Sequence, residues 1–280
     1  MSILVENLTH IYMQGTPFEK TAIKKVNLEI ESGEILAIVG RTGSGKSTLI
    51  QHLNGLLKPT AGKVFINGIG VSQKEFMKVN NKVGLVFQYP EHQFFEETVF
   101  KDISFGPLKM GVLKEEAEQR VYKSIKDVGL DNEILKKSPF AISGGEKRKV
   151  AIAGIIAINP EILILDEPTV GLDPQGRRDI IDLLDRLRKE RKITIIIVSH
   201  NMNDVFALAE RIVIIDKGEI KLDRKTNNMF DYLDSFQEFG LLIPPVVRLL
   251  KKLSNVIPEI NIRVKSIKDA KHEILKYLEG

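Results

Sequence analysis

The sequence predicts an α/β domain with a largely parallel sheet, followed by a smaller C-terminal part. Short β-branched runs alternate with amphipathic helical segments from Ser2 to about Leu222, which is typical of such a domain. In addition, residues 40–48 fit the phosphate-binding loop pattern GxxxxGK(S/T), directly after the apolar run Ile35–Val39.

The individual elements follow from local patterns. Alternating Val26, Leu28 and Ile30 predict an early antiparallel strand, and the run into Asn67 and Gly68 predicts a hairpin with a tight turn. The parallel sheet is expected to use five apolar runs: Ile35–Val39, Val83–Phe87, Ile162–Asp166, Ile193–Ser199 and Ile212–Asp216. Helices are expected from Lys46, with Leu49, Ile50, Leu53 and Leu56 at helical spacing, and over 113–128, 146–158 and 176–190.

The phosphate-binding loop predicts a site for a nucleoside triphosphate. Gly43 and Gly45 permit the positive φ angles that let backbone amides point at a dense anion. The helix that follows adds the positive end of its dipole. Lys46 is expected to reach the β- and γ-phosphate oxygens, and Ser47 to ligate Mg²⁺. The loop residues expected to bind nucleotide are Gly40, Thr42, Gly43, Ser44, Gly45, Lys46, Ser47 and Thr48. A glycine-rich turn with a chance lysine is the alternative.

Two adjacent carboxylates, Asp166 and Glu167, end an apolar strand. The carboxyl edge of a parallel sheet is where such folds bind ligands. We expect Asp166 to hold Mg²⁺, directly or through water, and Glu167 to polarise the water that attacks the γ-phosphate. Solvated acids at the end of a strand are the alternative.

A second candidate anion site precedes the helix predicted from residue 146. Ser143 can cap this helix or donate to a phosphate, and Gly144 and Gly145 allow backbone amides to approach closely. Because the chain has only one complete nucleotide loop, a head-to-tail dimer would place each triphosphate between the loop of one subunit and the Ser143 segment of the other. A capped helix without a ligand is the alternative.

Composition excludes several classes of protein. The 280 residues include no Cys, which excludes disulfides and thiolate metal sites. The longest largely apolar stretches, Val150–Ile158 and Ile193–Val198, are shorter than the roughly 20 residues that cross a bilayer. Without a basic region and a hydrophobic signal core at its N-terminus, the chain is expected in the cytoplasm. A formal net charge of +4 with interspersed signs predicts no nucleic-acid partner.

Over residues 2 to 222 the chain resembles the ATP-binding-cassette (ABC) ATPases. The phosphate loop, Gln88, the signature ISGGE at 142–146, the acid pair, Gly171–Asp173 and His200 stand in the order of that family. The resemblance implies a P-loop NTPase core with an antiparallel β subdomain and a helical subdomain, with ATP and Mg²⁺ as ligands.

The same resemblance implies roles for individual residues. Gln88 would contact Mg²⁺ and the attacking water and would relay movement to a membrane partner. His200 would bind the γ-phosphate, Asp173 would communicate across the dimer, and Tyr12 would stack on adenine. The signature departs from the family pattern, because Ile142 and Glu146 replace the usual Leu and Gln. An anionic Glu146 near a triphosphate is unfavourable unless it points away or meets Lys147 or Arg148.

Two segments, 15–19 and 87–95, look like the ATP-binding subunit of energy-coupling factor transporters, which import vitamins and metal ions. In that family, two cassette ATPases work with an integral membrane coupling protein and a substrate-binding membrane protein. The resemblance implies a peripheral position on the cytoplasmic face of the membrane. Tyr89, Phe94 and Phe95 would suit a groove for a coupling helix, or they are buried packing.

Two other classes of protein are weighed against a transporter subunit. One is a non-transport ABC ATPase in DNA repair, translation or cofactor assembly. By resemblance, such proteins carry long coiled-coil insertions or two cassettes in one chain, and this sequence has neither. The other is a phosphate-loop kinase with a small acceptor, against which the Ser143 segment argues.

The chain is expected to divide into an ATPase domain, 1–222, and a C-terminal helical appendage, 223–280. Arg224–Tyr232 is polar and turn-like, Pro244 and Pro245 suit the start of a helix, and Ile267–Leu278 is amphipathic. Each amphipathic helix must bury its apolar face. We expect these helices to form a dimer contact or to fold back on the ATPase core.

Overall fold

A computed structural model describes residues 3–71, 80–264 and 266–278. The predicted α/β architecture is confirmed, with two sheets. The antiparallel sheet has the order β2-β1-β4-β5, and the larger sheet has the order β10-β9-β3-β8-β7-β6. The strands are β1 (Ile3–Tyr12), β2 (Lys20–Ile30), β3 (Ile35–Val39), β4 (Ala61–Ile66), β5 (Ile69–Gly70), β6 (Val83–Val86), β7 (Ile162–Asp166), β8 (Thr194–Val198), β9 (Arg211–Asp216) and β10 (Glu219–Lys225).

Helices cover both sheets. They are α1 (Lys46–Leu53), α2 (Val99–Lys109), α3 (Lys114–Asp127), α4 (Gly144–Ala157), α5 (Pro174–Arg191), α6 (Met202–Leu208), α7 (Thr226–Met229), α8 (Pro245–Leu253) and α9 (Ile267–Leu275). Short 3-10 helices span Asn80–Lys82, Pro90–His92, Asn132–Lys136 and Phe230–Phe239.

The five predicted core strands are confirmed as parallel neighbours, β9-β3-β8-β7-β6. Because parallel strands end at the same edge, the loops after β3, β6, β7 and β8 meet on one side of the sheet. The predicted hairpin is also confirmed. Ile66 pairs with Ile69, and Asn67 and Gly68 between them have φ 48° and 77°, as a type I′ turn requires.

The helical subdomain that the resemblance implied consists of α2, α3 and α4. These helices share one apolar core, to which α2 contributes Val99 and Ile103, α3 contributes Val121, and α4 contributes Val150 and Ile152. Helix α4 thereby stands over the larger sheet, and its first turn carries the Ser143 segment. Helix α2 was not predicted from the sequence.

Three expectations are corrected. Leu56 does not belong to α1: it follows the end of that helix and is exposed. The boundary expected between residues 222 and 223 falls inside β10, which pairs antiparallel with β9 as far as Lys225. The segment 224–232 is not a polar turn, because it contains the end of β10, α7 and the start of the 3-10 helix Phe230–Phe239.

The C-terminal segment folds back on the ATPase core. Phe230, Leu233 and Phe236 of its 3-10 helix are buried in one cluster with Ala37 and Val39 of β3. Helices α8 and α9 add Val247, Leu250 and Ala270 to the same cluster. The apolar faces that required a partner therefore find one within the chain.

Candidate functional site

The phosphate-binding loop joins β3 to α1 and is shaped by its glycines. Gly43 and Gly45 have φ +79° and +109°, as expected from the sequence. Gly40 has φ +153°, and a Cβ there would lie 2.1 Å from the carbonyl oxygen of Ile215. A Cβ on Gly45 would lie 2.5 Å from the carbonyl oxygen of Ala22. Gly40 and Gly45 are thus required for close backbone packing as well as for conformation.

Lys46 places its ammonium group inside the loop. Nζ donates to the carbonyl oxygens of Gly40 at 2.8 Å and Arg41 at 2.9 Å. Burial lowers the pKa of Lys46, and the nearby carboxylates Glu167 and Asp166 oppose this shift. A partly desolvated cation held by the loop is suited to a phosphate anion.

Other loop residues carry polar groups into the same region. The hydroxyl oxygen of Ser44 is buried and has no hydrogen-bond partner within the described part of the chain. Thr42 is exposed at the rim. The hydroxyl groups of Thr48 and Tyr12 lie 3.1 Å apart, so Tyr12, the last residue of β1, lies beside the loop.

The acid pair lies at the end of β7, next to the loop. Ser47 Oγ donates to Asp166 Oδ2 at 3.4 Å, which brings together two of the three residues expected to contact Mg²⁺. The pKa of Asp166 is raised, mainly by burial and then by the negative charge of the adjacent Glu167, whereas Lys46 and Ser47 oppose this shift. A divalent cation would relieve this destabilised negative charge.

Glu167 is held in an unusual conformation. Its φ is +50°, its amide donates to the carbonyl oxygen of Val198 at 2.9 Å, and only 8% of it is exposed. Its Oε1 accepts from Nδ1 of His200 at 2.7 Å. Its Oε2 is buried without a partner among the described residues. The two carboxylate oxygens of Glu167 therefore differ: His200 holds one, and the other has no protein partner in residues 3–71, 80–264 and 266–278.

Gln88 follows β6 at the same edge of the sheet. Its carbonyl oxygen accepts from Nη1 of Arg148 at 2.7 Å. Within residues 3–71, 80–264 and 266–278, the side chain of Gln88 makes no hydrogen bond to Ser47 or Asp166. Gln88 therefore lies at the same edge of the sheet as these two residues, but no hydrogen bond connects it to them. On the neighbouring surface Tyr89 and Phe95 are exposed, whereas Phe94 is part of the helical core. The expectation of an aromatic groove is therefore wrong for Phe94.

Ser143 caps α4, which is one of the two roles that the sequence left open for it. Its Oγ accepts from the amide of Glu146 at 3.3 Å, and the carboxylate of Glu146 accepts from the amide of Ser143 at 2.8 Å. This reciprocal capping box holds the Glu146 carboxylate against the backbone of its own helix. A Cβ on Gly144 or Gly145 would meet nothing within 4 Å. These residues make no hydrogen bond to the loop 40–48 among the described residues. Asp173 similarly caps α5, through the amide of Gly176 at 2.7 Å.

Arg148 was missed as a site residue, because the sequence presented it only as one of three clustered cations. It is buried, and its guanidinium donates to the carbonyl oxygens of Phe87, Gln88 and Val170. It therefore ties helix α4 to the Gln88 segment and to the turn after Glu167. The sequence could have indicated this role only through the position of Arg148 on the inner face of α4.

Comparison with known proteins agrees with this geometry. The profile of the ABC transporter family matches residues 23–170. The structure of cbiO1 from Clostridium perfringens, part of the ABC transporter complex cbiONQ, is similar, with a TM-score of 0.76 and 36% identity over 89% of this chain and 98% of that one. The ATP-binding cassette MJ0796, as a post-hydrolysis dimer with ADP and Pi, gives a TM-score of 0.72 and 32% identity over 80% of this chain and 98% of that one. The fold is that of an ABC-type ATPase.

Curated relatives extend the similarity over the whole chain. The energy-coupling factor transporter ATP-binding protein EcfA2 of Acetivibrio thermocellus is 49% identical over 99% of both chains. That of Clostridium tetani is 51% identical over 99% of this chain and 97% of its own length. The chain belongs to the ABC transporter family, within the group of energy-coupling factor ATP-binding proteins. In the described part of the chain, no helix has the length and apolar composition needed to cross a bilayer.

Proposed function

We propose that this chain is the ATP-hydrolysing subunit that energises an energy-coupling factor transporter for vitamins or metal ions, bound peripherally to the cytoplasmic face of the cell membrane. The observation that carries the proposal is the carboxylate of Glu167, fixed by His200 on one oxygen and unpartnered on the other. It lies beside a loop whose lysine is already desolvated. This arrangement fits a general base next to a phosphate site.

The residues present fit both ATP and Mg²⁺. The loop 40–48 offers backbone amides, the unpartnered hydroxyl of Ser44 and the ammonium of Lys46 to phosphate oxygens. Ser47, Asp166 and Gln88 would hold Mg²⁺. The bound ion would neutralise part of the negative charge on the phosphates. Tyr12 would lie against the adenine ring.

The proton chemistry rests on Glu167 and His200. An ionised carboxylate can only accept, so Nδ1 of His200 carries the proton in their 2.7 Å hydrogen bond. The free Oε2 of Glu167 would accept the proton of the attacking water. Nε2 of His200 can donate to a γ-phosphate oxygen only when the ring is doubly protonated or turns away from Glu167.

A second ATPase subunit is part of the proposal. Gly144 and Gly145 have neither a positive φ nor a neighbour that a Cβ would strike, so nothing in the part of the chain that the structure describes requires them to be glycine. Ser143 accepts the capping hydrogen bond and keeps its own hydroxyl proton for a donor role. Together these features leave an open anion site for the nucleotide of a partner, either a second copy or a related chain.

The proposal is tested by purifying the tagged chain from a detergent extract of membranes and identifying what is bound. We expect an integral coupling protein, a substrate-binding membrane protein and a second ATPase. The assembly should release phosphate to water, and Lys46→Ala should abolish this activity. Recovery with ribosomes or DNA and without membrane proteins would favour a non-transport ATPase instead.

A further inference from the structure

Arg41, the second residue of the phosphate loop, connects that loop to the C-terminal segment. Its backbone carbonyl accepts from the amide of Ser44 at 3.1 Å and from Nζ of Lys46 at 2.9 Å. Its side chain runs the other way, and Nη2 donates to the carbonyl oxygens of Glu238 at 2.7 Å and Gln237 at 3.3 Å. Arg41 thus contacts Lys46 through its backbone carbonyl and the end of the 3-10 helix Phe230–Phe239 through its guanidinium.

The receiving side is shaped for this arginine. Gln237 and Glu238 lie in the last turn of the 3-10 helix Phe230–Phe239, where carbonyl oxygens carry partial negative charge. The carbonyl oxygen of Gln237 also accepts from the amide of Gly240 at 3.0 Å. Gly240 follows with φ +66°, and a Cβ there would lie 2.5 Å from Nε and 2.6 Å from Cγ of Arg41. Gly240 therefore provides both the left-handed turn and the space that the arginine side chain occupies.

The helix that receives Arg41 is itself rigidly placed. Its Phe236 and Leu233 are buried in the same apolar cluster as Val39, the residue that directly precedes the loop. On its other side the loop is held by the turn between β9 and β10, where the amide of Gly218 donates to the carbonyl oxygen of Ser44 at 2.9 Å. The loop is thus supported from two directions, one within the ATPase core and one from the C-terminal segment.

We propose that Arg41 is a positioning residue through which the C-terminal segment holds the phosphate loop in its ligand-binding conformation. Without the contacts of the Arg41 side chain beside Gly240, the carbonyl of Arg41 would move, and Lys46 would lose one of its two hydrogen bonds to the loop. The inference rests on the proposed function, because it assumes that the loop binds nucleotide. It gives the C-terminal segment a role in nucleotide affinity within its own chain.

The test compares Arg41→Ala, the charge-retaining Arg41→Lys and Gly240→Ala in the full-length protein, with MgADP as a probe that is not hydrolysed. Arg120→Ala, which removes an arginine from the surface of α3, and Gly129→Ala are the controls. Gly129 has φ +69°, and its nearest non-neighbouring atom is 4.0 Å from a built Cβ. Gly129→Ala thus imposes similar backbone strain without displacing Arg41.

We expect Arg41→Ala and Gly240→Ala each to raise the Kd for MgADP about three- to tenfold, because a charge-assisted hydrogen bond at an exposed site contributes less than a buried one. The Kd of Arg41→Lys for MgADP should lie between the values of these two variants and that of the wild type. In the ATPase assembly, KM for ATP should rise with little change in kcat. Without nucleotide, amide hydrogens of residues 41–45 should exchange faster in Arg41→Ala and Gly240→Ala but not in the controls.

Other outcomes overturn the inference. If Arg41→Ala weakens binding while Arg41→Lys and Gly240→Ala bind as the wild type does, the arginine acts by charge alone. Unchanged binding and exchange in Arg41→Ala would exclude the connection even if Gly240→Ala does not fold. A wild-type protein that binds no MgADP would overturn the proposed function, and faster exchange in Arg41→Ala would still show that the loop depends on this contact.

Discussion

Replacing Glu167 with Gln removes one proton acceptor and changes little else. Glu167 is 8% exposed, and its Oε1 accepts from Nδ1 of His200 at 2.7 Å. In Glu167→Gln the amide oxygen can keep this hydrogen bond because the side chains have the same shape. The amide nitrogen then occupies the place of the unpartnered Oε2, where it can donate to a water molecule but cannot accept its proton.

The expected loss follows from the chemistry of that one oxygen. General-base catalysis contributes typically about 10² to 10⁴ in rate, equivalent to roughly 3 to 5 kcal/mol of activation free energy. The phosphate loop and its lysine are untouched, so affinity for nucleotide should stay near the wild-type value. We therefore expect Glu167→Gln to bind ATP and to hydrolyse it at least about a hundredfold more slowly.

The assay measures phosphate release by the ATPase assembly at saturating MgATP, together with equilibrium binding of MgADP. Glu118→Gln, on the exposed face of α3, is the matched control and should be indistinguishable from the wild type in both measurements. A Glu167→Gln protein with wild-type turnover would refute the general-base role. Lost MgADP binding would instead show that Glu167 supports the loop rather than the chemistry.

Three further changes probe the fold around the site. His52 is fully buried, with Nδ1 donating to the carbonyl oxygen of Thr48 at 2.7 Å and Nε2 3.2 Å from Nδ1 of His10, and burial lowers its pKa. His52 of the unfolded chain binds a proton more readily, so the free energy of unfolding should fall as the pH drops below about 6.5. The fall is at most about 1.4 kcal/mol per pH unit for one group. In urea unfolding, His52→Gln should make this dependence on pH less steep. Glu146→Ala breaks the capping box and should lower the free energy of unfolding by about 0.3 to 1 kcal/mol, whereas Glu146→Gln, which can form the same box, should lower it less. Phe236→Ala empties a fully buried site between the C-terminal segment and β3 and should cost about 3 to 5 kcal/mol in the same assay.

Each of these expectations has a contradicting result. An unchanged acid slope in His52→Gln would transfer the pH dependence to other groups. Equal losses for both Glu146 variants would show that the negative charge, not the box, stabilises α4. A loss below about 1 kcal/mol for Phe236→Ala would mean that the C-terminal segment is not packed on the core in solution.

Local chemistry made much of the fold predictable. The five parallel strands are short runs of buried β-branched residues, and each lies within one or two residues of its predicted ends. The turn at Asn67 and Gly68 and the cap at Ser143 were equally predictable, because single residues meet a backbone requirement there. The loop 40–48 belongs to the same class, since its glycines are dictated by φ and by close packing.

Other features have no local signal. The 3-10 helix Phe230–Phe239 follows a polar stretch, and it is stabilised by burying Phe230 and Phe236 in one cluster with residues of β3, nearly 200 residues earlier in the chain. Arg148 was grouped with neighbouring lysines, although it is buried and bridges three backbone carbonyls. In both cases the partners are distant in sequence, so no window of neighbouring residues contains the reason.

The sequence by itself determined the local features on which the chemistry depends: a phosphate-binding loop, an acid pair at the end of a strand and a helix capped by Ser143 are each specified by residue types at fixed spacing. Only the tertiary structure decided how these parts meet. The parallel register of β7 and β8 places His200 against Glu167, and the folding of the C-terminal segment onto β3 brings Gln237 and Glu238 to Arg41. Contacts of this kind depend on the packing of the whole chain, because burial and strand register are set by all the elements together.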